Sequence, residues 1–140
     1  MNDIYMEEAI KEALKANQKN EIPVGAVIVD RDGNIIGRGH NNKEETNLII
    51  SHAEVNAIID ANKKINNWRL NDCDIYVTLE PCEMCKKIIK ESRIKKIYYS
   101  SNNFGNQIII NPKITKITNN ELINKTDKII NDAFIKIRNK

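Results

Sequence analysis

Apolar positions recur along the chain with two different spacings, and the changes between them outline the predicted elements. Residues 3–16 carry apolar side chains at helical intervals, with Glu and Lys on the opposite side. Short β-branched runs bounded by turn residues predict strands. In chain order the pattern predicts a helix over 3–16, strands over 24–29 and 35–39, a helix from His52 through Ala61, a strand over 75–79, a helix containing Cys82 and Cys85, strands over 94–99 and 114–117, and a helix over 120–138.

Turn and cap signals refine these boundaries. Pro23 ends the first helix before the β-rich run. The polar cluster at 30–34 predicts a hairpin with a loop of about five residues, and residues 41–47 predict a longer polar loop. Ser51 is the predicted N-cap of the second helix, and Pro81 suits the first turn of the third.

Strands that alternate with helices predict an α/β protein in which helices cover both faces of a sheet. At 140 residues, with 41% hydrophobic and 29% charged residues, the chain is expected to form one globular domain over 1–140. Its apolar runs are shorter than the roughly 18 residues of a membrane span, and its acidic N-terminus lacks the features of a secretory signal. We therefore expect a cytoplasmic protein without a membrane partner. A net charge of +3 is compatible with nucleic acid binding and does not argue for it.

Two short motifs contain the residues suited to metal chemistry, His52-Ala53-Glu54 and Pro81-Cys82-Glu83-Met84-Cys85. The Cys-x-x-Cys spacing in an intracellular chain indicates metal or redox chemistry. Cys82 and Cys85 lie on one side of a predicted helix start and can bind one ion. With His52 they form a set of three nitrogen and sulfur ligands, which zinc prefers. Three protein ligands leave a fourth position for water, as in catalytic zinc sites.

Glu54 is the candidate proton carrier of this site. Zinc with an open position activates water at neutral pH, and a neighbouring group must then take the proton. Residues two apart do not share a helix face, so His52 and Glu54 can approach the ion from different sides. The positive end of a helix also favours thiolate at Cys82 and Cys85.

The two motifs are far more specific together than apart. His-x-Glu followed by Pro-Cys-x-x-Cys is the signature of zinc nucleobase deaminases. A structural zinc site and a thioredoxin-like redox site are the alternatives. The third cysteine, Cys73, is interpreted as a buried small residue, and His40 as a loop or packing residue.

The chain is also similar to one family, the bacterial-type tRNA-specific adenosine deaminases of the cytidine/deoxycytidylate deaminase superfamily. These enzymes convert the wobble adenosine to inosine. The similarity covers residues 1–100 approximately and rests on the stretches 21–29, 40–41, 45–46, 52–54, 68–70, 76–85 and 92–94.

This resemblance implies an α/β fold of a particular type, a three-layer α/β/α sandwich with a central mixed five-stranded sheet (cytidine deaminase-like). It implies Zn²⁺ held by His52, Cys82 and Cys85, with Glu54 as the catalytic residue. It further implies a homodimer, in which the partner subunit closes part of the site. The implied reaction is hydrolytic deamination by zinc-activated water of a base flipped out of a tRNA anticodon stem-loop.

The resemblance assigns substrate contacts to Asn41 and Val24. Asn41 matches the asparagine that orients base and ribose, and Val24 matches the apolar wall of the pocket. A turn-forming role for Asn41 and a core strand role for Val24 remain open as alternatives.

Three stretches depart from the family pattern. Leu48-Ile49-Ile50-Ser51 replaces a Pro-Thr-Ala type run before the His-Ala-Glu motif, and the C-terminal region diverges. Asn103 occupies the approximate position of an acidic residue that faces the substrate backbone. Loss of that carboxylate would either ease backbone contact or relax discrimination by the ribose hydroxyl.

Two other function classes compete with a tRNA deaminase. One is a deaminase of a free nucleobase or nucleotide of the guanine or cytosine type, which would use the same metal chemistry. The other is a catalytically idle RNA-binding or structural zinc protein. Glu54 argues against the idle protein because metal binding alone does not need that carboxylate.

Overall fold

The computed structural model describes residues 3–103, 105 and 111–139. The chain divides into two compact units, Met1–Gly105 and Asn106–Lys140, which are described separately. The first unit contains α1 (Asp3–Gln18), β1 (Gly25–Val29), β2 (Ile35–His40), α2 (Lys43–Thr46), α3 (Ala53–Ile65), β3 (Asp74–Leu79), α4 (Glu83–Glu91) and β4 (Lys96–Ser101). The second unit contains α5 (Asn120–Arg138), whose N-cap Asn119 accepts a hydrogen bond from the Leu122 backbone. The expected single domain over 1–140 stays a prediction.

The sheet of the first unit is mixed and has the strand order β2-β1-β3-β4. β1 pairs antiparallel with both β2 and β3, and β3 pairs parallel with β4. In the described residues the sheet has four strands, so the expected five-stranded sheet is corrected. The strand predicted over 114–117 is irregular backbone. β-branched residues form a strand only where a neighbouring strand completes the backbone hydrogen bonds. Isoleucine is frequent throughout this chain, so a β-branched run such as 114–117 resembles a strand without forming one.

Alternate residues of the central strand β1 pack on opposite faces of the sheet. Ala26 and Ile28 belong to a buried cluster with residues of α3 and α4. Val27 and Val29 pack with Ala9 of α1 and with Tyr76. All five residues of β1 are buried, as expected for a strand covered on both sides. The three-layer arrangement predicted from the sequence is therefore confirmed.

Two glycines let α3 lie unusually close to β2. A Cβ atom at Gly37 would meet the Ala57 carbonyl oxygen and Ala61, and one at Gly39 would meet the backbone of α3 at Ala53 and Ala57. Alanines at 53, 57 and 61 recur every four residues and form one face of the helix. This small-residue contact fixes the distance between α3 and the sheet.

The helix starts differ in detail from the predicted ones. Ser51 does not cap α3, because the N-cap is His52 and the Ser51 hydroxyl bonds Thr46 Oγ1 at 2.9 Å. Likewise Pro81 precedes α4, whose N-cap is Cys82. β4 begins two residues later than predicted, at Lys96.

The predicted loop over 41–47 contains the single helical turn α2. The buried Glu21 carboxylate accepts hydrogen bonds from the Glu44 and Glu45 backbone nitrogens, at 3.1 and 2.8 Å. A long-range carboxylate thus stabilises a turn whose local sequence is typical of a loop. In the described part of the chain, no helix combines the length and the apolar character that crossing a membrane requires.

We predict that Gly37→Ala lowers the free energy of unfolding by about 1–3 kcal/mol, because the added methyl group meets backbone atoms of α3 that cannot move without shifting the helix. Chemical denaturation measures the change. Ser100→Thr, which adds a methyl group at an exposed position of β4, should change stability by less than about 0.5 kcal/mol. Equal denaturation midpoints for both variants would contradict the close contact.

Candidate metal and active site

The structure brings together His52, Cys82 and Cys85, the three residues that the motifs single out. Their ligand atoms all lie within 4.8 Å of one another. His52 Nδ1 is 3.8 Å from Cys82 Sγ and 3.4 Å from Cys85 Sγ. A tetrahedral zinc ion with ordinary bond lengths separates its sulfur and nitrogen ligands by about 3.5 Å. The donor set and its spacing therefore fit Zn²⁺.

Two helix starts provide these donors. His52 is the N-cap of α3 and Cys82 is the N-cap of α4, and neither side chain makes a capping hydrogen bond. N-cap side chains usually accept a hydrogen bond from the first turn. Here both side chains are directed to the shared donor cluster instead, while Cys85 joins it from the first turn of α4. The absence of ordinary caps at both positions is consistent with a metal site.

Burial controls the protonation of the donors. Burial lowers the pKa of His52, with a smaller effect of Lys43, and so favours the neutral imidazole that binds metals. Burial also raises the pKa of Cys85 strongly, and the negative charges of Glu54 and Cys82 add to this. Burial and these neighbouring charges thus favour the thiol form of Cys85, in the opposite direction to the helix-end effect expected from the sequence. Metal binding must displace its proton.

Glu54 lies in the first turn of α3 and is 4% exposed. Burial raises the pKa of its carboxyl group, while hydrogen bonds with its own backbone N–H and with the Cys85 side chain oppose the shift. The carboxyl group therefore lies directly beside a metal donor. A pKa moved towards neutrality suits a group that accepts and then returns a proton.

The two candidate substrate residues Asn41 and Val24 are neighbours in the structure. The Asn41 backbone nitrogen donates to the Val24 carbonyl at 3.1 Å, and its side-chain nitrogen donates to Ile22 O at 3.4 Å. Val24 is half-buried and packs against the cluster between the sheet and α3. Asn42 N donates to Ser51 O at 3.0 Å, which attaches this segment to the residue before His52. The substrate roles of Asn41 and Val24 stay predictions.

Asn103 lies beside the segment that leads into α4. Its backbone nitrogen donates to Glu80 Oε1 at 3.3 Å and its side-chain nitrogen to Glu80 O at 3.5 Å. Because Glu80 precedes Pro81 and Cys82, these bonds attach the Asn103 loop to the metal-binding segment. Its substrate role also stays a prediction.

Cys73 and His40 lie outside the donor group. Cys73 is a buried free cysteine, and burial raises the pKa of its thiol, so the interpretation as a buried small residue is confirmed. His40 packs against α1, with Nδ1 3.5 Å from the buried Glu12 carboxylate. It therefore lies apart from the three grouped donors as a packing residue.

The residues that hold the site loops in place could not be identified from the sequence. Glu21, Asn56 and Glu80 each bond a loop that borders the donors. Glu21 and Glu80 fall in stretches that match the related family, but nothing local in the sequence distinguishes Asn56. Their partners are 14 or more residues away along the chain.

The chain belongs to the family of the cytidine and deoxycytidylate deaminase zinc-binding region, whose model matches residues 1–101. Relatives named tRNA-specific adenosine deaminase include one from Streptococcus pyogenes serotype M18, 54% identical over 99 residues that cover 71% of this chain and 62% of the relative. Another, from Rickettsia felis, is 54% identical over 97 residues, which cover 69% and 67%. The chain thus spans 62% of the length of the Streptococcus relative.

Two solved structures are similar to the chain. One, from a study of A-to-I editing by tRNA:A34 deaminases at the wobble position of transfer RNA, has 40% identity and a TM-score of 0.70 over 72% of this chain and 77% of its own. The other is a guanine deaminase from Bacillus subtilis, with 28% identity and a TM-score of 0.79 over 94% and 95%. These similarities confirm the cytidine deaminase-like fold.

We predict that the purified protein binds one zinc ion and that His52→Ala and Cys82→Ala lose it, since each removes one of three donors. Elemental analysis after dialysis measures the zinc content. Cys73→Ala is the matched control and should retain the ion, because Cys73 lies outside the donor group. Full zinc content in Cys82→Ala would rule out this ligand set.

Proposed function

We propose that this protein deaminates adenosine to inosine at the wobble position of a tRNA anticodon. The observation that carries the proposal is a buried carboxyl group, Glu54, in contact with a cluster of three zinc donors, one fewer than a closed tetrahedral site has. The reaction consumes one water and releases ammonia. The choice of tRNA adenosine is supported by the names of relatives at 46–54% identity.

In this proposal, different residues of the chain bind the metal and transfer protons. His52, Cys82 and Cys85 hold the zinc ion, which when bound supplies water activated at neutral pH for attack on C6 of adenine. Glu54 would accept one proton from that water at a carboxylate oxygen and pass it to the ring nitrogen of the base. It would then accept the second proton of the same water and pass it to the leaving amine, which regenerates the carboxylate. Its raised pKa makes both directions of transfer accessible. Burial of the carboxyl group also keeps bulk water from competing for the proton.

Asn41 and Val24 hold the flipped base in this proposal. Asn41 orients base and ribose through its side-chain amide, and Val24 forms an apolar wall. Asn103 contacts the backbone of the substrate near the start of α4. The substrate is an anticodon stem-loop, the enzyme is a homodimer whose partner subunit closes part of the site, and a tRNA substrate implies a cytoplasmic location.

A second candidate is deamination of free guanine. The observation that favours it is the similarity to the guanine deaminase from Bacillus subtilis, which extends over 94% of this chain, whereas the tRNA deaminase structure is similar over 72%. The higher sequence identity to tRNA-specific deaminases favours the first candidate.

We predict inosine formation when the zinc-loaded protein is incubated with an anticodon stem-loop that bears adenosine at the wobble position. Mass spectrometry of the digested RNA measures the product. Free guanine, cytosine and deoxycytidylate should release negligible ammonia under the same conditions. Ammonia from guanine without inosine in the RNA would replace the first candidate with the second.

We predict that Glu54→Ala retains zinc and lowers the deamination rate by about 100- to 10,000-fold, the contribution of general acid–base catalysis. Glu83→Ala is the matched control, because Glu83 lies between the two cysteines and its side chain is 77% exposed. That variant should keep its activity within a factor of about two, as for an exposed surface position. Unchanged turnover in Glu54→Ala would remove this residue from the mechanism, and loss of zinc would make it a ligand.

A further inference from the structure

One side-chain amide connects the helix of the metal site to both neighbours of Asn41. Asn56 Nδ2 donates to the His40 carbonyl at 2.8 Å and to Asn42 Oδ1 at 2.8 Å. Both hydrogens of the amide nitrogen are therefore used, one on each side of Asn41. Asn56 is half-buried, so water competes for these bonds less than at an exposed position.

The same helix carries the chemistry of the site. His52 is the N-cap of α3, Glu54 and Asn56 follow at two-residue intervals in its first turn, and the Asn56 backbone nitrogen donates to His52 O at 3.0 Å. Residues in one helical turn keep fixed relative positions. The two bonds from Asn56 therefore fix the position of Asn41 relative to His52 and Glu54.

Asn41 itself is held so that its side-chain oxygen, Oδ1, remains for a ligand. Its backbone nitrogen and side-chain nitrogen donate to Val24 O and Ile22 O. Its Oδ1 makes no hydrogen bond within the described residues. Asn41 is 7% exposed, so its side chain has little freedom to rotate.

We propose that Asn56 is a positioning residue that sets the place of Asn41, and through it the bound nucleoside, relative to Glu54 and the metal donors. This role of Asn56 rests on the proposed function and on the substrate role of Asn41. The hydrogen bonds of Asn56 do not touch the substrate. They prevent residues 40–42 from taking up other positions. In those positions C6 of the base would not face the attacking water.

Another asparagine of α3 provides a matched control. Asn62 Nδ2 also donates twice, to Asn67 O and Trp68 O, both at 3.1 Å. Asn62 is also half-buried, and the loop that it holds contains none of the candidate site residues. Asn56→Ala and Asn62→Ala therefore each remove a side-chain amide that donates two hydrogen bonds from α3. The first amide is near the metal donors and the second is farther along the helix.

The experiment measures steady-state deamination of the anticodon stem-loop, zinc content and the thermal unfolding midpoint for each variant. We expect Asn56→Ala to lower kcat/KM about 10- to 100-fold, chiefly through kcat, because a bound base that lies off the line of attack reacts more slowly. Its zinc content should match that of Asn62→Ala, in which kcat/KM should stay within about twofold of the unmutated protein, as at a site remote from the chemistry.

A double-mutant cycle tests whether Asn56 acts through Asn41. In an Asn41→Ala background, Asn56→Ala should change kcat/KM by less than about twofold, because the group that it positions is already missing. A further loss as large as in the unmutated background would overturn the proposal. Equal kcat/KM for Asn56→Ala and Asn62→Ala would overturn it as well.

Asn42→Ala provides a second test if Asn56→Ala unfolds or loses zinc. This variant removes one of the two acceptors from outside the helix and should lower kcat/KM, whereas Asn42→Asp keeps an acceptor oxygen and should restore it. Equal activity of the two variants would count against Asn56. If the unmutated protein forms no inosine, the proposed function and this inference both fail, whereas inosine formation with unaffected Asn56 and Asn42 variants defeats this inference alone.

Discussion

The close packing of α3 on β2 is the constraint on which the site depends. Glycines at 37 and 39 face alanines of α3, so the helix axis comes nearer to the sheet than larger side chains allow. The start of α3, with His52 and Glu54, is thereby fixed against the sheet, while α4 follows directly from β3 with its two cysteines. A metal site with donors from two helices needs this rigidity, because bond lengths to zinc vary by only about 0.2 Å.

Burial gives the donor cluster its chemical character. It favours a neutral His52, raises the pKa of Cys85 and raises the pKa of Glu54. A bound cation compensates the cost of the thiolates in this environment, and a carboxyl group with a raised pKa beside them suits proton exchange. The same low-polarity surroundings thus favour metal binding and proton transfer together.

Much of this arrangement could be predicted from the sequence because the signals are local. The Cys-x-x-Cys spacing brings Cys82 and Cys85 together at one helix start, and the uninterrupted apolar run of β1 is typical of a strand covered on both faces. Long-range contacts escaped prediction. Helix α2 depends on Glu21, more than 20 residues away, and Ser51 lost its expected capping role because the chain enters α3 one residue later, at His52. The strand predicted over 114–117 rested on β-branched residues without a pairing partner.

We propose that His52, Cys82 and Cys85 hold a zinc ion with an open position beside Glu54. Zinc-edge X-ray absorption spectroscopy of the purified protein tests it most directly. We expect two sulfur neighbours at about 2.3 Å and two nitrogen or oxygen neighbours at about 2.0–2.1 Å, one of them from solvent. A shell with three or more sulfurs, or with none, would contradict the ligand set.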